Sequence, residues 1–191
     1  MSEDVVQDLA LGGFRLVKES LDFELDFTPE TLPVADHYLR EFRGDGKIDE
    51  KALQLVGPCL GAYFGEVVRR SLPGFRWHLP EDDYPRWRLE GVPFFLAFNP
   101  IGVVLEAIYG DPIAGWGAHF ALLNEQQEII EQALEVSGPV RAEDYHRLAV
   151  RHEVLVQTVT RLEELERGAS RQFSAEAYAS LLDGTPGSTD A

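Results

Sequence analysis

Helical and strand-like hydrophobic patterns follow each other along the first quarter of the chain. Residues 4–20 repeat apolar side chains at helical spacing, although a pair of adjacent glycines interrupts the repeat. Apolar and acidic residues then alternate over residues 23–27, and a period of two predicts a half-buried strand. Thr28 followed by proline is typical of a helix start, and the next apolar positions predict a helix that continues to Phe42.

The helix predicted at residues 49–70 carries an unusual edge of small residues. Gly57, Gly61 and Gly65 recur at every fourth position, which places them along one side of the helix. Each glycine destabilises a helix by about 1 kcal/mol relative to alanine, but a bare edge allows another backbone to pack closely. We therefore expect a central helix with neighbours on most sides, kinked or divided in two at Pro58.

The rest of the chain predicts a small sheet and further helices. Strands are predicted at residues 76–79, 86–89 and 92–98, and Pro93 indicates that the third strand begins late or has a free edge. Three more helices are predicted over residues 99–110, 117–135 and 142–166. This order predicts an α+β fold with a mainly antiparallel sheet of three to four strands, packed by five to six helices that include a long C-terminal one.

Length and composition favour one globular domain. The chain has 191 residues, of which 45% are hydrophobic, and that is enough to bury a sizeable core. We predict one domain over residues 1–182. Residues 183–191 are small and polar, and we predict that this tail is disordered.

The charge of the chain is strongly negative and limits the classes of partner. Acidic residues number 33 against 17 Lys and Arg, which gives a formal net charge of −16. Nucleic acids and anionic membranes both need clustered Lys and Arg, so we expect neither as a partner. An excess of acid fits a highly soluble protein, or one that faces a basic protein partner.

The start of the chain and its cysteine content predict a cytoplasmic location. The first residues, MSEDVVQDLALGG, are acidic and lack the cationic start of a signal peptide. Cys59 is the single cysteine, so no internal disulfide can form, and its apolar surroundings predict a buried side chain rather than a nucleophile. Arginine dominates over lysine, as in proteins from GC-rich bacterial genomes.

Three stretches of sequence carry a resemblance to a protein family. They are LDFTPETLPVADHYL at residues 25–39, GAYFGEVVRR at residues 61–70 and GFRW at residues 74–77. Over residues 22–110 the chain resembles a group of uncharacterised bacterial proteins with a Leu-Asp-aromatic-Ser/Thr helix entry, a Gly-Ala-Tyr-x-Gly-Glu-Val helix and a Gly-x-x-Trp strand. The resemblance implies a shared fold. It implies no activity, cofactor or site residue, because the group carries none that is established.

Basic side chains cluster locally, against the charge of the whole chain. Alternation along the predicted strands places Arg76 and His78 on one face, and it places Arg86 and Arg88 together in the same way. If the strands pair, these side chains share a face, which predicts a binding site for an anion or a carboxylate. The alternative is neutralisation inside the protein by neighbouring acids, such as those at residues 81–83.

Glu66 is the acidic residue most deeply placed in the apolar part of its predicted helix. It is a candidate ligand-binding or general acid–base group beside the arginines, but its spacing to Arg69 and Arg70 favours a simple ion pair. The histidines show no zinc-site spacing, and residues 41–52 lack the closing carboxylate of a calcium loop. We therefore expect no metal and no cofactor.

Leucines repeat at every seventh position in the last predicted helix. Leu148, Leu155 and Leu162 lie on one side of residues 142–166, with charged residues on the flanks. This pattern is typical of a coiled-coil seam, which would make a homodimer, and it also fits ordinary packing on the same domain.

No catalytic motif is present in the sequence. It contains no G-x-S-x-G elbow, Walker loop or dinucleotide fingerprint. We expect a non-enzymatic binding or regulatory protein of the bacterial cytosol, for example an acidic, immunity-type inhibitor of a basic protein. The alternative is a small-anion-binding protein or an enzyme that uses the arginine-bearing sheet face with Glu66.

Overall fold

A computed structural model describes residues 3–80, 83–136, 141–167 and 172–183. The helices are α1 (Glu3–Leu21), α2 (Leu32–Arg43), α3 (Glu50–Ser71), α4 (Pro100–Tyr109), α5 (Asn124–Val136), α6 (Ala142–Tyr145), α7 (Leu148–Leu165) and α8 (Ala175–Tyr178). The strands are β1 (Phe75–His78), β2 (Arg88–Gly91) and β3 (Ala97–Phe98), which form one antiparallel sheet in that order. The predicted α+β class is confirmed. Beyond Asp183, the tail predicted to be disordered lies outside the described residues.

The long helix α3 lies at the centre of the fold. It packs against α1 on one side and α4 on the other, and residues 56–68 are buried without interruption. It continues through Pro58 as one helix, so the predicted alternative of two separate helices is wrong. Burial of this long apolar segment outweighs the backbone hydrogen bond that proline removes. No helix in the described part of the chain is long and apolar enough to cross a membrane.

The two glycines inside α1 allow it to approach α3 closely. A Cβ atom at Gly12 would lie 2.8 Å from the Cys59 sulfur, and one at Gly13 would lie 2.8 Å from the Cys59 carbonyl oxygen. α1 is one continuous helix through both glycines, and the break that they make in its apolar repeat is the place where it contacts α3. Cys59 is buried, as predicted, and burial raises the pKa of its thiol, so it is poorly suited to act as a nucleophile.

A turn, rather than the predicted strand at residues 23–27, connects α1 to α2. Asp22 and Phe27 have positive φ angles of 52° and 63°, which a strand does not contain. The Asp26 carboxylate accepts hydrogen bonds from the backbone N–H of Thr28 at 2.9 Å and from its hydroxyl at 2.6 Å. The strand prediction is wrong because this local turn chemistry outweighs a short period-two pattern.

One face of the sheet packs onto α3. Trp77 of β1 pairs with Leu89 of β2, and Leu89 pairs with Phe98 of β3, so these three buried side chains share that face. The third strand is shorter than the predicted 92–98 and begins late, as Pro93 indicated.

The predicted helix at residues 142–166 is divided. The chain leaves the helical path at His146 and Arg147, between α6 and α7. Leu148, Leu155 and Leu162 are fully buried within their own chain, which favours packing on the same domain over a dimer seam made by these leucines. The helix predicted from residue 117 begins only at Asn124, because Ala121 bridges to the backbone of Ala97 at the sheet edge.

The last described segment, residues 172–183, docks against the sheet. The Tyr178 hydroxyl donates to the Gly91 carbonyl at 2.8 Å and accepts from the Leu96 backbone N–H at 2.9 Å. The Phe173 N–H donates to the Val92 carbonyl at 2.8 Å. The segment thus covers the region around β2 that carries the arginines.

Candidate functional site

Glu66 lies in α3 as an ion-paired, buried carboxylate. Arg69 donates two hydrogen bonds to it, at 2.8 and 2.9 Å, and Arg70 lies 3.6 Å away. The indole N–H of Trp77 donates a further bond at 3.0 Å. Burial opposes ionisation of Glu66, but the hydrogen bonds from Arg69 and Trp77 outweigh it and lower its pKa. Glu66 is therefore a carboxylate at neutral pH, with the pairing that its spacing favoured.

Three of the four side chains of the predicted basic face, Arg76, His78 and Arg88, lie around a buried glutamate. Arg76 donates to Glu90 Oε2 at 2.9 and 3.0 Å, and Arg88 donates to Glu90 Oε1 at 2.9 Å. The nearest distance from His78 Nδ1 to the same carboxylate is 3.9 Å. Glu90 has no exposed surface. The two arginines are thus engaged with a carboxylate of the same sheet face.

The five candidate residues do not converge on one site. Glu66 contacts Trp77, and strand alternation places Trp77 and Arg76 on opposite sides of β1. Arg86 is 57% exposed, and its Nη1 lies 3.7 Å from an Asp83 carboxylate oxygen. The structure brings Arg76, His78 and Arg88 together, but not Glu66. A ligand-binding role for these residues stays a prediction.

Glu90 is the site residue that sequence reasoning missed. The pattern of apolar residues ends the second strand at residue 89 and leaves Glu90 in a turn, whereas β2 extends to Gly91. A usable signal was present, because Glu90 is two residues from Arg88 and therefore on the same face of any strand that contains both.

A third buried carboxylate, Glu106 of α4, has no counterpart in the sequence predictions. Arg151 of α7 donates to it at 3.1 Å, and its histidine neighbours are His119 at 3.4 Å and His146 at 3.7 Å. Arg151 is almost fully buried, and within the described residues its Nε and Nη1 atoms have no hydrogen-bond partner. Its guanidinium lies 4.3 Å from the centre of the Tyr145 ring. Among the described residues no group of three or more His, Cys, Asp or Glu side chains is arranged to hold a metal.

The largest cavity described lies between α3, α4 and the loop that follows α4. Its volume is about 740 Å³. Most of its walls are apolar or aromatic, and they include Leu53, Pro58, Tyr84, Ile101, Leu105, Ile113 and Trp116. Asp111 is the only charged residue among the described side chains that line it. An apolar cavity of this size with few polar groups is the usual form of a binding site.

Comparisons with known proteins add no functional information. No protein-family model matches the chain, and no curated protein or solved structure matches it either. The resemblance of residues 22–110 to uncharacterised bacterial proteins accordingly stays a prediction.

Proposed function

We propose that the protein is a non-enzymatic binding protein that anchors an apolar, positively charged segment of a partner protein in the cavity between α3 and α4. The cavity itself carries the proposal: it is large and mostly apolar, and Asp111 is its only charged lining residue among those described. The anchors of protein interfaces are typically bulky apolar or aromatic side chains held in such pockets.

The chemistry of the cavity supports binding rather than catalysis. Its described lining residues include no His, Cys, Ser, Thr, Lys or Arg, so they offer no thiol, aliphatic hydroxyl or amine nucleophile and no histidine base. The alternative function, an anion site on the sheet face, has weaker support, because Arg76 and Arg88 already bind Glu90.

The charge of the protein supports a basic partner. A net charge of −16 steers cations towards the surface, and Asp111 is placed to meet a Lys or Arg next to an apolar anchor. This is the chemistry expected of an acidic inhibitor of a basic protein. We place that activity in the bacterial cytosol, in line with the single buried cysteine.

The three tryptophans provide a direct test by NMR. Trp116 lines the cavity, whereas the indole N–H groups of Trp77 and Trp87 bind Glu66 and the Pro80 carbonyl inside the fold. The probe is a peptide of Leu and Phe residues flanked by Lys, titrated into ¹⁵N-labelled protein. We expect the Trp116 indole signal to move while the other two stay in place.

Two comparisons make this test specific. The same peptide with Glu in place of Lys should bind more weakly, and Asp111→Asn should weaken the Lys peptide by about twofold to fivefold. Asp45→Asn removes the same charge from an exposed loop away from the cavity and serves as the matched control. An unmoved Trp116 signal refutes the cavity as the anchor site, and equal binding of both peptides refutes the basic partner.

A homodimer through residues 142–166 is a separate proposal. The leucines at every seventh position are buried in the chain, so a dimer has to use the exposed side of α7. Sedimentation equilibrium over a range of protein concentrations tests it, and a constant monomer mass excludes it.

A further inference from the structure

A second, smaller cavity lies where α2 meets the end of α4 and the junction between α6 and α7. Its volume is about 180 Å³, and Ala107 and Gly110 of α4 form one wall. The charged and titratable side chains that line it are Asp36, Arg40, Arg43, His146 and Arg147. We call it the basic pocket, since three arginines face it with one aspartate.

Arg40 and Arg43 form no ion pair within 4.0 Å in the described structure, although the Asp36 carboxylate interacts electrostatically with Arg40. Arg40 contacts His37 Nδ1 at 2.8 Å, and the guanidinium of Arg43 rests on Gly110. Across the described ranges neither arginine has a carboxylate within 4.0 Å, while Arg147 pairs with Asp144 at 3.0 Å. Both arginines are exposed, so their guanidinium groups can reach an anion that enters the pocket from solvent.

Asp36, the one acid among the described lining residues, is hydrogen-bonded to the backbone of another helix. Asp36 accepts hydrogen bonds from the backbone N–H groups of Leu148 at 2.6 Å and Ala149 at 3.2 Å, so its carboxylate caps the start of α7. It satisfies helix donors that would otherwise lie unpaired, and its charge acts on Arg147 and Arg40 without a hydrogen bond to either guanidinium in the described structure.

The arrangement of donors selects the chemistry of the ligand. Arg40 and Arg43 are three residues apart on α2, so they project from one side of that helix, and Arg147 faces them from the start of α7. Planar guanidinium groups bind phosphate oxygens in pairs, and several of them around a small space suit a doubly charged oxyanion better than a single carboxylate. The volume leaves room for little more than one such group.

We propose that the basic pocket binds a phosphate group, supplied either as inorganic phosphate or as the terminal group of a small phosphate monoester. The site is separate from both the apolar cavity and the arginine-bearing face of the sheet. Arg43 and Arg40 are the principal donors, and Arg147 assists while it remains paired with Asp144.

Isothermal titration calorimetry of the full chain with inorganic phosphate, at low ionic strength and pH 7.5, tests the proposal. We expect one binding site per chain and a loss of affinity of about tenfold in Arg43→Gln and in Arg40→Gln, because each removes hydrogen bonds to a charged group. Arg15→Gln is the matched control, since Arg15 is an exposed arginine on α1, outside the pocket. It should bind phosphate like the parent protein.

Further arms exclude non-specific binding and identify the source of the phosphate. Asp36→Asn removes the only acidic side chain among the described residues that line the pocket and should tighten binding, with circular dichroism to confirm that the variant is folded. Methyl phosphate that binds as well as phosphate points to a monoester, and weaker binding points to the free ion. No measurable heat with phosphate, or the same loss of affinity in Arg15→Gln as in Arg43→Gln, overturns the proposal.

Discussion

Replacing Gly61 with alanine tests the close approach of α3 and α4, which the repeated glycines predicted. A Cβ atom at Gly61 would lie 2.6 Å from the Cα atom of Ile101, whereas ordinary contact begins at 3.4 Å. Because the nearest atom belongs to the backbone, no side-chain rotation relieves the overlap. The two helices must move apart locally by a large fraction of an ångström.

The expected loss of packing energy exceeds the gain in helix propensity. A gap of about 0.5–1 Å removes about a quarter to a half of the dispersion energy of each contact across an interface. Overpacking of a core costs about 1–3 kcal/mol, and alanine gains about 1 kcal/mol over glycine inside a helix. We expect Gly61→Ala to lower the free energy of unfolding by up to about 2 kcal/mol, and Gly61→Leu to lower it by about 3 kcal/mol or more.

Urea unfolding followed by circular dichroism measures this free energy. Gln54 is exposed on the same helix, so the difference between Gln54→Ala and Gln54→Gly gives the propensity term alone. A Cβ atom at Gly65 would overlap a side chain, the Trp77 ring, so Trp77→Phe should restore part of the stability lost in Gly65→Ala. At Gly61 the overlap is with the backbone, so Ile101→Val should not restore the stability lost in Gly61→Ala. If Gly61→Ala instead stabilises the protein by the propensity term, the close backbone contact is refuted.

Three further predictions concern buried polar contacts. Arg88→Gln takes one partner from the fully buried Glu90 and should lower the free energy of unfolding by about 2 kcal/mol or more. Arg86 is exposed, so Arg86→Gln should change that free energy by less than about 1 kcal/mol. If phosphate stabilises the parent protein and both variants lose this stabilisation, the anion site on the sheet face is favoured instead. Tyr178→Phe should cost about 1–3 kcal/mol and speed amide exchange over residues 172–183, and unchanged exchange would contradict the docking described. Burial raises the pKa of Asp36 from 3.8 to about 6, so between these pH values the folded state binds more protons than the unfolded state. The free energy of unfolding of the parent, relative to that of Asp36→Asn, should therefore fall by about 1–3 kcal/mol as the pH rises from 4 to 6. A difference between the two proteins that does not change with pH contradicts this.

Local signals in the sequence predicted the elements whose ends are set by neighbouring residues. The Asn99 side chain accepts hydrogen bonds from the N–H groups of Ile101 at 2.9 Å and Gly102 at 3.3 Å, and Gly110 ends the same helix at a φ of 72°. Both ends of α4 are therefore readable from four or five adjacent letters. The glycine edge of α3 is readable in the same way, because its cause lies in one helix.

Contacts between distant parts of the chain account for what the sequence did not reveal. The break between α6 and α7 depends on Asp36, more than a hundred residues earlier, whose carboxylate caps the start of α7. The cavity between α3 and α4 depends on side chains from several elements. The arginine-bearing face was predicted only in part, because β2 begins at Arg88 rather than at residue 86, and Glu90 stands beyond the apolar pattern that marked the strand.

The buried carboxylates change the surface charge of this protein very little. Glu66, Glu90 and Glu106 lie inside the fold, and each binds one or two arginines, of which Arg88 and Arg151 are themselves buried. Three glutamates and two arginines are thus buried in these contacts, so the surface keeps almost all of the net charge of −16. A basic protein segment would meet the field that the composition indicates. On this acidic surface Arg40 and Arg43 line the basic pocket with no carboxylate within 4.0 Å in the described structure, which allows one molecule to attract a basic partner at one cavity and a phosphate group at another.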